Sequence, residues 1–164
     1  MSQVTVQKLN PSKPAAHGPI AQLLLQEMEQ AHRAIEQRAF DRFLERGGSP
    51  GDPVQDWLDA EREMLLVPHI EVDHWQDHFE IRLAVEEVPL ERLIINALPE
   101  SIIVQGEPQL NGKPLLRRIV LPEEIDPQSV TAAIRDGVLR IIAEKRSARM
   151  SESQRERMET SVAA

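Results

Sequence analysis

Leu115-Leu116-Arg117-Arg118-Ile119-Val120-Leu121-Pro122, followed by Val130-Thr131-Ala132-Ala133-Ile134-Arg135-Asp136-Gly137-Val138-Leu139-Arg140-Ile141-Ile142-Ala143, is the part of this chain that decides its fold. The first run reads as a strand over 115–121, closed by Pro122, which has no N–H to give to a ladder. The second reads as two strands, 130–134 and 138–143, around Asp136-Gly137. That dipeptide suits a tight turn because glycine takes positive φ at no steric cost. Val138, Leu139 and Ile141 are expected to pack beneath the resulting sheet.

Moving upstream, the same period of two extends back to Pro68. Ile70 and Val72, then Phe79, Ile81, Leu83 and Val85, alternate with charged or small residues and read as a strand with one buried face. Val88-Pro89 breaks it. Leu93-Ile94-Ile95 and Ile102-Ile103-Val104 follow, separated by Leu98-Pro99-Glu100, and Asn111-Gly112 supplies a further turn. Short strands at close spacing with turn signals between them indicate an antiparallel all-β sandwich over 69–145 rather than βαβ units. The C-terminal 146–164 is polar and is expected to be a flexible tail.

Before Pro68 the period is helical. Ile20, Leu24, Met28, Ala31, Ile35 and Ala39 form one apolar stripe, widened by Phe40, Phe43 and Leu44. The run stops at Gly47-Gly48-Ser49-Pro50-Gly51, and Asp52-Pro53 offers an N-cap and a first-turn proline for a second helix carrying Val54, Trp57, Leu58, Met64 and Leu65. Residues 20–67 are thus an expected helical hairpin, with Phe40, Phe43 and Trp57 as its core. Pro11, Pro14 and Pro19 punctuate 1–19, which reads as a disordered tail.

Composition narrows the function. The 164 residues carry a net charge of −8 and no Cys. An acidic chain lacks the basic surface that nucleic acid requires. The missing thiols exclude disulfide frameworks, thiolate zinc sites and a cysteine nucleophile. No apolar run suits a signal peptide or a membrane span, so a cytoplasmic protein is expected. No Gly-x-Ser-x-Gly, His-Glu-x-x-His or dinucleotide fingerprint is present, so neither catalysis nor a cofactor is expected. His69, His74 and His78 invite a metal reading, but on a strand His74 and His78 lie roughly 13 Å apart, too far to share one ion.

The region 70–145 resembles the α-crystallin domain of the small heat-shock proteins. Residues 115–122 are similar to the family's F-x-R-x-F-x-L-P strand with aliphatic residues in place of phenylalanine. Glu123-Glu124-Ile125-Asp126-Pro127 continues it as the family's loop does. The 132–139 stretch is similar to A-x-x-x-n-G-V-L, and Ile102-Ile103-Val104-Gln105-Gly106-Glu107 to L-x-I-x-G-E. A second resemblance covers 35–64. Ile35, Arg38, Ala39, Phe40, Phe43, Arg46-Gly47, Gly51, Asp56-Trp57-Leu58 and Ala60-Glu61 look like a small bacterial helical family of unknown function, which transfers no activity.

The first resemblance implies an immunoglobulin-like β-sandwich preceded by the helical hairpin, and an ATP-independent holdase that binds unfolded or partly unfolded proteins. It implies a groove for apolar peptides between the strand of Ile81, Leu83 and Val85 and the strand of Val130, Ala132 and Ile134. Those residues read equally well as sandwich core. It also implies a subunit-interface role for Arg117 in a homodimer or small homo-oligomer. Two departures stand out. Only 108–114 separates the two strands between which many bacterial members carry a swapped strand, too short to turn and reach a partner at ~3.6 Å per residue. The tail also lacks the family's I-x-I/V docking motif. Both favour the alternative of a low-order, adaptor-like interaction module.

Overall fold

A computed structural model of the chain describes residues 2–4, 6–8, 19–86, 88–107 and 112–146. Asn111 of the expected Asn111-Gly112 turn, the C-terminal tail from 147 and most of the N-terminal stretch lie outside these residues. Among the described residues are nine strands and two long helices: β1 (Ser2–Gln3), β2 (Val6–Lys8), α1 (Pro19–Glu45), α2 (Pro53–Met64), β3 (Ile70–His74), β4 (His78–Ala84), β5 (Leu93–Leu98), β6 (Ser101–Gly106), β7 (Leu115–Val120), β8 (Thr131–Arg135) and β9 (Val138–Glu144). The strands make two layers, ordered β1-β8-β9-β4-β3 and β2-β5-β6-β7. Their inward residues form one aliphatic core around Phe79, Ile81, Leu83, Ile95, Ile102, Val104, Leu139 and Ile141.

Three sequence expectations change. The run from Ile70 to Val85 is two strands, not one, folded back at 75–77 so that Ile70 pairs with Leu83 and His74 with Phe79. The alternation survives because a tight hairpin keeps both strands' apolar residues on one face. Val138 points outward and is exposed. Leu139, Ile141 and Ala143 are the inward set of β9, as a strict period of two demands. The expected disordered tail is strand at 2–3 and 6–8.

The outward face of the larger sheet is a charge ladder. Glu80 is buried and accepts two 2.7 Å bonds from Arg140, while Arg82 reaches Glu71, Asp73 and Glu80. The Arg140 hydrogen bonds hold the Glu80 carboxyl below its usual range, and Arg82 does the same for Glu71. A depressed carboxylate stabilises the fold above its unfolded pKa, and that stabilisation disappears as pH falls through the folded value. Stability is therefore expected to be flat from pH 7 to about 5 and to fall below about pH 4. Urea midpoints at pH 7 and pH 3.5 check this. Glu80→Gln should lower the neutral midpoint and shrink the difference between the two.

In the hairpin, Asp52 caps α2 through a 2.9 Å bond from the Val54 amide. The Arg46 guanidinium straddles the carboxylate of buried Asp56 across the turn. Gly51 leaves room for it: a Cβ there would lie 2.5 Å from Arg46 Nη2 and would push the guanidinium off Asp56. Ala60 is fully buried against α1, where any larger side chain would force the helices apart. The expected hairpin core of Phe40, Phe43 and Trp57 is corrected in part. Trp57 packs on the His32 ring at 4.7 Å and Phe43 is half-buried, but Phe40 is 53 % exposed. Gly51→Val is expected to displace Arg46 and melt the hairpin before the sandwich, seen as loss of helical ellipticity with retained β signal.

Candidate functional site: the seam between the sheets

A two-layer sandwich has two open seams, each a pair of edge strands that would otherwise present unpaired backbone groups. One seam lies between β8 and β5, and the N-terminal stretch closes it. Ser2 pairs with Ile134 and Gln3 with Ala133, antiparallel to β8. The Val4 amide then donates to the Ala132 carbonyl at 3.2 Å. Two residues on, Val6 to Lys8 pair parallel to β5, with Val6 opposite Ile95. The chain crosses from one sheet to the other, and Val4 and Val6 both turn inward. Val4 is only 8 % exposed and belongs to the core, and Val6 packs against it.

The two strands expected to wall a groove, that of Ile81, Leu83 and Val85 and that of Val130, Ala132 and Ile134, are not neighbours. β4 is flanked by β3 and β9, and β9 separates it from β8. Ile81, Leu83 and Val85 are buried in the middle of the sandwich. Val130, Ala132 and Ile134 do lie at the seam, but facing β5, with inward residues Leu93, Ile95 and Ala97, instead of β4. Sequence reading missed Val4 and Val6. Their signal was the period of two in Val4-Thr5-Val6, hidden in a stretch read as tail.

The opposite seam is guarded by the hairpin. The Leu66 amide donates to the Pro114 carbonyl at 2.9 Å, and Leu66 bridges Leu115 at the start of β7. Lys113 Nζ donates to the Arg62 carbonyl. Arg117, expected at a subunit interface, donates from Nη1 to Glu61 Oε1 of the same chain at 2.7 Å, with both side chains largely buried. This joins the glutamate that ends the helical pattern to the arginine of the strand pattern.

α1 lies over the outer face of the smaller sheet. Gln105 Nε2 donates to Glu27 Oε2 at 2.8 Å, and Asn96 Nδ2 to Gln105 Oε1 at 3.1 Å. A carboxylate only accepts, so Glu27 fixes both amide orientations in turn. Beneath this relay a cleft of about 450 Å³ is walled by Leu23, Leu24, Ile94, Leu115 and Leu116. The histidines sit apart: His78 bonds Asp77 at 2.7 Å, His69 meets Glu71 at 3.3 Å and His74 lies edge-on to Phe79. Among the described residues no group of metal-ligating side chains gathers, and no helix is long and apolar enough to cross a membrane.

Among curated proteins no match is found. Solved structures with a similar fold include heat shock protein 16.0 from Schizosaccharomyces pombe, 20 % identical with a TM-score of 0.44, covering 49 % of this chain and 88 % of that one. Another is hspA from Xanthomonas axonopodis, at 22 %, 0.43, 49 % and 95 % on the same measures. A third is a small heat-shock protein from Xylella fastidiosa, at 19 %, 0.44, 49 % and 87 %. Residues 30–65, the hairpin without the first eleven residues of α1, match a protein family of unknown function, DUF2934. Residues 71–158, more than half of the chain and all of the sandwich from β3 onward, match the Hsp20/alpha crystallin family, and the protein belongs to that family.

Proposed function

We propose that the protein is an ATP-independent holdase of the small heat-shock type, acting in the cytoplasm on apolar segments of unfolded or partly unfolded proteins, as a homodimer or small homo-oligomer. The observation that carries this reading is the seam between β8 and β5. It accommodates an extended strand with aliphatic residues two apart, and the chain's own Val4 and Val6 occupy it. Backbone bonds to both edges would hold any such segment, and each buried aliphatic side chain contributes roughly 1.5–3 kcal/mol. β1 and β2 together span few residues, so a client can compete with them. Arg117 would contribute to subunit contact only in a state where Glu61 releases it.

A heated aggregation-prone client should scatter less light at near-stoichiometric amounts of this protein. Val4→Ser with Val6→Ser should strengthen that protection, because the resident strand then competes less well. Absence of protection at every temperature would remove the holdase reading. A Val4 amide exchanging as slowly as the β4 and β9 amides would show a seam that never opens, and would remove the site.

The second reading is an adaptor of low oligomeric order without holdase activity. It is favoured by the chain's own N-terminal stretch occupying the seam between β8 and β5, where a client or a neighbouring subunit would otherwise dock. A monomer or dimer by light scattering, combined with no protection of clients, supports it.

A further inference from the structure

The two outward faces of the sandwich are built differently. The larger sheet carries Glu71, Asp73, Glu80, Arg82 and Arg140 outward, a set made for water. The smaller sheet carries Ile94, Leu98, Ile103, Leu116 and Val120 outward, with Asn96, Ser101, Gln105 and the exposed Arg118 among them. Asn96, Ser101 and Ile103 are buried although alternation turns them away from the core, so this face is a covered one. At its rim Ile94 and Val120 remain 41 % and 66 % exposed.

The cover is α1. Its partner α2 is shorter: Arg46 pairs with Asp56 and Arg38 with Glu63, so α2 ends opposite Arg38. The half of α1 before Ala31 has no helix beside it, yet Leu24 is buried. That burial comes from the sandwich, where Leu24 shares a cleft with Ile94, Asn96 and Leu116. Beside α1 the cleft is open and Glu27 makes the polar tie to the sheet, while Glu61, Arg62 and Leu66 join the other end of the hairpin to β7 and the residues just before it. In a packed helix-on-sheet interface, side chains would fill that volume.

We propose that the outer face of β5, β6 and β7 is a second binding surface, for an exposed amphipathic helix of a partly unfolded protein, and that the hairpin is its lid. This rests on the holdase reading for its biological partner. The kind of partner is the kind already seated there: a helix with aliphatic residues at i and i+4 and a carboxylate aimed at Gln105. Glu27 and Glu61 are the latches, and the Leu65–Leu66–Val67 link into β3 is the hinge.

The chain has no cysteine, so single thiols report cleanly. Leu116→Cys, in the cleft, is labelled with a maleimide in the parent and in a Glu27→Ala, Glu61→Ala background, and a fluorescent peptide of residues 19–36 is titrated into both. Labelling should quicken about tenfold without the latches. The peptide should bind the unlatched protein about tenfold more tightly and slow its labelling. A third variant carries Glu27→Cys and Gln105→Cys joined by a short bis-maleimide. It should bind neither the peptide nor a client through this face. Equal labelling rates with and without the latches overturn the lid, and peptide binding to the cross-linked protein overturns the surface. Peptide binding with no protection of any heated client leaves the surface standing and defeats the holdase reading instead.

Discussion

Ile81→Ala is expected to cost about 2–5 kcal/mol of stability, the largest effect of any single change considered, because it empties the centre of the core. Ile81 is fully buried, opposite Val72 on one side and Ile141 on the other. With strands on both sides and a second sheet below, the walls cannot collapse onto the missing methyl groups, which keeps the cost near the upper part of that range. For a sandwich of this size the melting temperature should fall by at least about 8 °C. Ile94→Ala is the matched control: the residue is partly exposed on the outer face, and its loss should stay within about 0.5 kcal/mol. The pair separates the two readings of Ile81. A groove residue would leave melting unchanged and impair only client protection. A parent-like melting temperature for Ile81→Ala would therefore remove the core assignment.

The second large effect belongs to Gly137. Arg135 pairs with Val138 across the turn, so Asp136 and Gly137 alone form the loop, and both have positive φ, 52° and 75°. A two-residue loop of this hand matches the right-handed twist of its strands. Any Cβ at Gly137 meets strain from its φ, about 1–3 kcal/mol, and would lie 2.3 Å from Glu86 Cγ. The Gly137 carbonyl also accepts the Val85 amide at 2.8 Å, so a shifted turn loosens the end of β4 as well. Gly137→Val should lower the urea midpoint strongly. Gly137→Asn should do so less, since asparagine tolerates this conformation while still carrying a Cβ. Equal losses would mean that the overlap with Glu86, and not the backbone, sets the cost.

Much of the fold was legible before any coordinates. The sandwich followed from the period of two after Pro68, and the hairpin from the period near 3.6 before it. Phe40 shows where such reading stops. A helix with a stripe wider than its contact leaves one flank outside, and periodicity does not say which. Alternation assigned each strand an inward set, but it could not say that β9 lies between β4 and β8. That error moved one wall of the expected groove to the wrong strand.

The sequence by itself determined the layers, the Asp136-Gly137 turn, the helix stop at 47–51 and, Val138 apart, the inward aliphatic residues. All of these are set by neighbours a few positions away, through pleat, helix pitch and the backbone freedom of glycine and proline. Tertiary structure alone decided that Val4 and Val6 seal one seam, that Glu61 takes Arg117 at the other, and that α1 covers an aliphatic sheet face. Those pairings join residues 56 or more positions apart. No local period encodes them, because which edge a strand or helix closes depends on where the rest of the chain has left an edge open.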